Sequence, residues 1–258
     1  MELFFDHVAG NQKDKDFLFS LVSATFLEHE WDLAFSTGWA PTNKWFDSNF
    51  AINNSLVWYQ CRQSRIVLAD YSPNHKTKKL INKTPVKYII DTKLHTSIET
   101  IYSIYSDYCS HKNFGDLISK EDIAYYFKPH SNSKHYYIHF YYENVLVAIT
   151  KLSLWNKSLL SEIFWWDYKN PELSIGKISF YLEIQLAKQL ELEYLYTGIS
   201  YNKDSIYKSY KKGFEFWTGR SWNPDKQLFI YLCEKDDEVT DIEDLHEYQY
   251  EYLQKVKV

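Results

Sequence analysis

The chain has 258 residues, of which 45% are hydrophobic and 24% are charged. This composition is ordinary for a globular protein and excludes a disordered or fibrous chain, and a chain of this length folds without needing a metal or a disulfide. The formal net charge is −5, but the segment 234–251 contributes −8 through nine acids and one lysine, which leaves +3 for the rest.

The three cysteines, Cys61, Cys109 and Cys233, are odd in number and widely spaced. They offer neither a disulfide framework nor a CxxC metal knuckle, so a reducing, cytoplasmic location is expected. The N-terminus lacks a basic region followed by an apolar run, and no stretch approaches ~18 uninterrupted apolar residues. We therefore expect neither a signal peptide nor a membrane span.

A compact basic segment lies between Tyr71 and Ile90, where five lysines occur without an acid. These lysines are Lys76, Lys78, Lys79, Lys83 and Lys87. The segment favours a polyanionic partner despite the acidic overall charge. The alternative is an ordinary solvated lysine face.

The first half of the chain mixes helical and strand patterns. Apolar residues at helical spacing predict a helix over 17–35, and β-rich runs predict strands over 56–70 and 87–90. A further helix is predicted over 96–109, and Ser119-x-x-Asp122 has the form of a capping box that opens another.

The second half begins with a predicted hairpin over 135–154 that turns at Glu143-Asn144. The elements that follow are a strand at 161–168, a helix at 177–190, a strand at 194–199, a helix at 202–212 and a strand at 227–233. This order predicts an α+β fold with the mixed, helix-flanked sheet of a GNAT-type acyltransferase. We place a smaller N-terminal α/β region, which carries the basic segment, at 1–92, and the transferase domain with its acidic tail at 93–258.

The run LSIGKISFYLEIQLAKQLELEYLYTGI, which starts at Leu173, closely resembles the arginyl-tRNA–protein transferase family. The matching positions are Ser174, Gly176, Glu183, Ile184, Ala187, Leu192, Tyr194, Tyr196 and Gly198. The next block, DSIYKSYKKGFEF, resembles a second family motif at Ser205, Tyr210, Lys211 and Phe214. Upstream, Asp167 matches an aromatic-Tyr-Asp-Pro turn in which Tyr168 replaces the proline.

The N-terminal half carries the resemblance independently, so that it extends from about Leu27 to Pro224. The matching residues are Cys61, Arg65, Tyr71, Pro73, Lys78, Lys79 and His111. Only Cys61 remains of the cysteine cluster that holds iron–sulfur in some family members, so no metal is expected. In the final block Tyr207-Lys208 replaces a Lys-Met pair, and Gly213 replaces a basic residue.

The resemblance implies transfer of an aminoacyl group, with arginine as the first expectation, from aminoacyl-tRNA to an amino group of a protein or peptide N-terminus. The aminoacyl-tRNA is the co-substrate, and no further cofactor is implied. Three alternatives stay open: a small-molecule or peptide acceptor in a biosynthetic pathway, acyl-CoA chemistry, and a non-catalytic RNA- or protein-binding relative. Acyl-CoA chemistry is disfavoured because PELSIGK offers one glycine for a pyrophosphate loop.

Transfer of an activated ester asks a protein for positioning, removal of a proton and stabilisation of an oxyanion. The predicted catalytic residues are Glu183, expected at the lip of a cleft, Asp167 and Tyr210. The predicted substrate-binding residues are Trp166, Ser174, Gly176, Tyr196, Gly198, Ser205 and Lys211. For the two acids the structural alternative is a helix-edge glutamate and a turn aspartate.

The predicted tRNA-binding residues are Arg62, Arg65, Lys76, Lys78, Lys79 and Lys83. The chain has three arginines against 26 lysines, so an arginine indicates a place where bidentate geometry matters. For Arg62 and Arg65 this means phosphate contacts or, alternatively, buried pairs with carboxylates.

Overall fold

The computed structural model describes residues 3–12, 15–41, 46–54, 57–60, 62–112, 117–129, 133–200 and 202–238. Its strands are β1 (Leu3–Gln12), β2 (Lys15–Ala24), β3 (Ala40–Pro41), β4 (Phe46–Asn54), β5 (Val57–Gln60), β6 (Arg62–Val67), β7 (Lys87–Asp91), β8 (Lys134–Tyr142), β9 (Val145–Trp155), β10 (Ser158–Trp166), β11 (Tyr194–Ser200), β12 (Phe214–Trp217) and β13 (Trp222–Asn223). Its α-helices are α1 (Trp31–Ser36), α2 (His75–Lys83), α3 (Ile98–Lys112), α4 (Lys120–Phe127), α5 (Ile175–Gln189) and α6 (Lys226–Lys235). Short 3-10 helices cover Glu28–Glu30, Pro171–Leu173, Lys203–Tyr210 and Asp236–Glu238.

The chain forms two compact units. One combines residues 1–71 with 196–258, and the other comprises 72–195. The predicted α+β class is confirmed, because helices and sheet strands occur in both units. The predicted domains at 1–92 and 93–258 stay a prediction. Among the described residues, no helix is both long and apolar enough to cross a membrane.

The 72–195 unit is built on the strand order β10-β9-β8-β7, with each neighbouring pair antiparallel. Strands β8 and β9 form the predicted hairpin, and both turn residues, Glu143 and Asn144, have positive φ of 50° and 65°. Two successive residues with positive φ match the right-handed twist of the flanking strands. The hairpin prediction is confirmed.

Helices cover both faces of this four-stranded region. From α3 and α4, Ile101, Tyr105 and Ile123 pack with Tyr137 and Ile149 of the sheet. The next residue of β9, Thr150, points to the opposite face, as strand geometry requires, and hydrogen-bonds to a serine of α5. The predicted capping box at the start of α4 is also present, with Ser119 and Asp122 bonded reciprocally.

The other unit contains an antiparallel sheet of β1 to β5 and the strand order β13-β12-β6-β11. Helix α6 packs on β12, where the ring of Phe229 lies 4.8 Å from that of Phe214 and 5.2 Å from that of Phe216. Three phenylalanine rings therefore form the contact between α6 and β12.

Two predicted elements are wrong. The predicted helix at 17–35 is strand β2 followed by the short helix α1, because β2 pairs with β1 on one side and β4 on the other. The predicted strand at 227–233 is helix α6. The Asp225 side chain accepts hydrogen bonds from the backbone N–H groups of Gln227 and Leu228 and thereby caps that helix. The predicted helix at 202–212 is a 3-10 helix.

Gly38 provides a test of local packing. Its φ is +82°, and a Cβ there would lie 2.4 Å from the ring of Trp217. Gly219 is a matched control, since its φ is +92° but a Cβ would meet nothing within 4 Å. We expect Gly219→Ala to cost about 1–2 kcal/mol through backbone strain alone. Gly38→Ala should cost a further ~1–3 kcal/mol through the clash.

Thermal unfolding of both variants measures this difference. Each kcal/mol corresponds to roughly 2–4 °C in Tm for a chain of this size. Equal Tm values for the two variants would contradict the contact between Gly38 and Trp217.

Candidate active site

Glu183 lies on α5 and is 3% exposed. The Ser179 hydroxyl donates to Glu183 Oε1 at 2.7 Å, and the Thr150 hydroxyl lies 2.8 Å from the Ser179 oxygen. Because Ser179 has one hydroxyl proton and gives it to Glu183, Thr150 must donate to Ser179. The expected position of Glu183 at the lip of a cleft is wrong, whereas its catalytic role stays a prediction.

Asp167 follows β10 and is 8% exposed. Burial raises the pKa of its carboxyl group, while the hydrogen bond and charge of Lys169 act in the opposite direction. The backbone N–H of Lys169 donates to Asp167 Oδ1 at 3.2 Å. The Lys169 ammonium lies 2.9 Å from Asp107 and 3.9 Å from Asp167. Asp167 thus has the raised proton affinity expected of a general base.

The residue after Asp167 adopts a left-handed conformation, with φ of 52° at Tyr168. Its ring stacks on His111 at a centroid distance of 3.7 Å and packs on Trp166 at 3.8 Å. Two rings this close cannot share one face of Tyr168, so Tyr168 lies between them. Trp166 is therefore part of a three-ring stack beside Asp167, and the stack offsets the backbone strain at Tyr168.

Ser174 and Gly176 define the start of α5. Ser174 has φ of 53° and ends the preceding 3-10 helix. A Cβ on Gly176 would lie 3.4 Å from the ring of Phe164 on β10. Ser174 thus supplies a left-handed cap between the 3-10 helix and α5, and the space beside Gly176 would accept a Cβ in ordinary contact with Phe164.

Lys208 is the main polar anchor of β11, and its position was not predicted to be functional. It is 8% exposed, and its ammonium donates to the carbonyls of Thr197 and Ile199, both at 2.8 Å. A third bond reaches the Ser200 hydroxyl at 3.1 Å. Between those carbonyls lies Gly198, with φ of 72°, so one buried cation holds the strand on both sides of its left-handed residue.

Ser64 of β6 completes this arrangement. Its hydroxyl lies 2.7 Å from the hydroxyls of both Thr197 and Ser200, and 3.1 Å from the carbonyl oxygen of Gly198. The predicted substrate-binding residue Gly198 is therefore fixed by contacts to its carbonyl group and its neighbours. Ser205, 9% exposed, lies at the start of the 3-10 helix that carries Lys208.

Arg62 and Arg65 both have carboxylate partners. Arg62 forms two hydrogen bonds of 2.8 Å with Asp236, and Arg65 contacts Glu215 at 2.7 and 2.8 Å. Arg65 also lies 3.3 Å from the hydroxyl of Tyr196. Both arginines thus pair with carboxylates, which was the alternative to phosphate contacts. Phosphate contacts by these arginines stay a prediction.

The remaining predicted residues are accessible to different degrees. Tyr210 is 61% exposed, and Lys211 is half-buried at the wall of a pocket. The lysines of α2, namely Lys76, Lys78, Lys79 and Lys83, are all exposed. Cys61 lies outside the described residues. Within those residues no cluster of three or more His, Cys, Asp or Glu side chains is placed to hold a metal ion.

Residues 100–218 match the family model described as the C terminus of arginine-tRNA-protein transferase. The predicted family resemblance is confirmed over this segment. The matched segment contains Asp167, Glu183, Gly198 and Tyr210. It is shorter than the span over which the resemblance was predicted, 27–224. The basic segment and both paired arginines lie before it.

Curated relatives are similar at low identity. An aspartate/glutamate leucyltransferase of Campylobacter jejuni is 28% identical over 144 residues, which cover 54% of this chain and 60% of the relative. One of Acinetobacter baumannii is 24% identical over 169 residues, which cover 63% and 62%. The matches thus span about three-fifths of these relatives.

Two solved structures have weak similarity. L-PGS from Bacillus licheniformis has a TM-score of 0.41 and 10% identity, covering 76% of this chain and 71% of that one. FemX has a TM-score of 0.43 and 5% identity, covering 76% and 79%.

The role of Lys208 can be tested with Lys208→Met, which restores the methionine of the family motif. The change leaves the carbonyls of Thr197 and Ile199 without their ammonium donor. Each unsatisfied buried group lowers the free energy of unfolding by about 1–3 kcal/mol. We expect a clear fall in the free energy of unfolding, measured by urea denaturation.

Lys212→Met is the matched control, because Lys212 is exposed in the same segment. It should stay within about 0.5 kcal/mol of the parent. If both variants unfold at the same urea concentration, Lys208 does not hold β11.

Proposed function

We propose that this chain transfers an aminoacyl group from aminoacyl-tRNA to a primary amine at the N-terminus of a protein or peptide. The observation that carries the proposal is the match of residues 100–218 to the transferase family model. In the reaction, the amine nitrogen attacks the ester carbonyl, an amide C–N bond forms and the ester C–O bond breaks. The 3′-terminal hydroxyl of the tRNA leaves, and the attacking ammonium loses its proton.

The ester is already activated, so the protein supplies position, a base and oxyanion stabilisation. Asp167 is our candidate base, because it is buried and burial raises the pKa of its carboxyl group. Glu183 is better suited to positioning, because its carboxylate is enclosed and accepts from Ser179. Acyl-CoA chemistry is less well supported, because Gly176 is the single glycine at that helix start.

The transferred amino acid is proposed to be leucine rather than arginine. A cationic side chain needs an accessible carboxylate, whereas Glu183 is enclosed and Asp167 is buried with the Lys169 ammonium 3.9 Å away. The two curated relatives described above are named leucyltransferases. Arginine stays the competing hypothesis from the sequence motifs.

A direct transfer assay tests the function. Purified protein is incubated with tRNA charged with radiolabelled leucine, arginine or phenylalanine, and with peptides that begin with Asp, Glu or Arg. We expect label to enter a peptide from leucyl-tRNA, and an Asp167→Asn variant to lose most of this transfer, since general-base catalysis contributes about 10²–10⁴-fold. Absence of transfer from every charged tRNA would refute the proposal, and transfer from arginyl-tRNA alone would refute the choice of leucine.

Helix α2 is the proposed tRNA-binding surface. It begins at the N-cap Asn74, whose side chain accepts from the Thr77 N–H at 2.8 Å, and it carries its four lysines exposed. Because the four lysines project from one helix, the helix restricts the spacing of their charges. The phosphates of a tRNA backbone can match such a spacing.

Replacing Lys76, Lys78 and Lys79 by Ala should weaken tRNA binding and reduce its salt dependence. Each lost phosphate contact removes at most about one unit from the slope of log K against log salt. The matched control replaces the exposed lysines Lys120, Lys128 and Lys188 by Ala. Filter binding over a range of salt concentrations measures the affinity of each triple variant for tRNA and its salt dependence. Equal slopes of log K against log salt for the two variants would rule out α2 as the binding surface.

A further inference from the structure

Strand β7 lies at one edge of its sheet. Among the described residues, β8 is the strand that pairs with it, in a regular antiparallel register over all five residues of Lys87–Asp91. The outer side of such a strand presents backbone N–H and C=O groups that can pair with another chain. Large apolar side chains are accessible here as well, since Tyr88 is 45% exposed and Ile89 is 49% exposed. This edge is therefore a candidate surface for the addition of a further strand.

The two ends of β7 carry opposite charges on one face of the sheet. Side chains alternate along a strand, so Lys87, Ile89 and Asp91 share a face. Lys87 is exposed and Asp91 is half-buried. A rotation of 180° about an axis that passes through Ile89, perpendicular to the sheet, exchanges the positions of the lysine and the aspartate. The strand is thus complementary in charge to a second copy of itself.

The carboxylate of Asp91 is held in place by the loop that follows it. Its Oδ1 accepts from the Thr92 N–H at 2.6 Å and from the Lys93 N–H at 3.2 Å, and its Oδ2 lies 2.7 Å from His95 Nε2. The hydrogen bond from His95, followed by that from Lys93, lowers the pKa of the Asp91 carboxyl group to about 2. Asp91 is therefore negatively charged at neutral pH, and its Oδ2 can accept a second hydrogen bond from a lysine.

We propose that β7 pairs with β7 of a second copy of this chain, so that the sheet continues across a two-fold axis at Ile89. Lys87 then lies opposite the partner's Asp91, and Tyr88 lies opposite the partner's Ile90. Both copies use the same surface, as a two-fold contact requires. Opposite charges and apolar side chains that face each other across strands stabilise a sheet. The contact lies within the 72–195 unit and does not depend on the proposed transfer function.

Other registers of the same pairing are less favourable. A shift by one residue sets side chains of opposite faces against each other. A shift by two residues towards the C-terminus places Lys87 opposite the partner's Lys93, and like charges in that position destabilise a strand pair. A shift by two residues in the other direction places Asp91 opposite the partner's Pro85, which has no N–H to donate. The sequence around β7 thus favours the register centred on Ile89.

Sedimentation velocity over a range of protein concentrations tests for the dimer. A strand of five residues gives a small interface, so we expect a reversible equilibrium between monomer and dimer. Lys87→Glu should weaken dimerisation about tenfold, because it replaces both charge pairs of the dimer by contacts between like charges. Lys93→Glu is the matched control, because it makes the same change of charge at an exposed residue just after β7. It should leave the dimerisation constant unchanged.

A disulfide cross-link tests the register. In the proposed dimer the Cβ atoms of the two Ile89 residues lie about 4.5–5.5 Å apart, which a small backbone adjustment brings within the range of a disulfide. We expect oxidised Ile89→Cys to give a covalent dimer on non-reducing electrophoresis, above the background that the native cysteines give in the parent. Val145→Cys is the control, because Val145 is 62% exposed at the start of β9, and it should stay at that background.

Several results would overturn the inference. A monomer at every concentration would do so, and so would equal dimerisation of the parent and Lys87→Glu. A dimer that Lys93→Glu strengthens would have the shifted register in which Lys87 meets Lys93, contrary to the one proposed. Absence of the Ile89→Cys cross-link in a sample that dimerises would place the contact on another surface.

Discussion

One buried carboxylate joins three segments of the unit formed by 1–71 and 196–258. Asp236 accepts two hydrogen bonds from Arg62 and one from the backbone N–H of Asn202. The Arg62 and Asp236 side chains are each 2% exposed. Removal of one member of such a pair leaves an uncompensated buried charge, at about 3–5 kcal/mol. Asp236 therefore links the starts of β6 and of the Lys203–Tyr210 helix, which carries Lys208, to the end of α6.

The sequence predicts those elements whose pattern is decided locally. The β8–β9 hairpin, α3 and α5 have clear alternation or helical spacing and turn or cap signals, and all three are present. The errors occur at short apolar runs. The apolar residues of 227–233 fit either the helical or the strand period. The deciding signal is the helix cap at Asp225, two residues before the run.

The sequence indicated where arginine geometry matters, but it did not decide the partner. Arg62 and Arg65 were predicted to contact phosphates, with buried carboxylate pairs as the alternative, and both have carboxylate partners. The burial of Glu183 was not predictable, because it depends on the tertiary packing around α5. Helix α2 is one element that contacts α5, and its lysine-rich sequence was not predicted as a helix.

The two departures from the family motif, at Tyr207-Lys208 and at Gly213, gain a common physical basis in the structure. A buried lysine in place of methionine requires acceptors, and the carbonyls of Thr197 and Ile199 supply them. A glycine in place of a basic residue permits the close approach to Val67. Both changes fall in one short stretch of the 1–71 and 196–258 unit, whereas Asp167 and Glu183 belong to the 72–195 unit. The two departures therefore involve contacts within one unit, whereas Asp167 and Glu183 make their hydrogen bonds with Lys169 and Ser179 within the other.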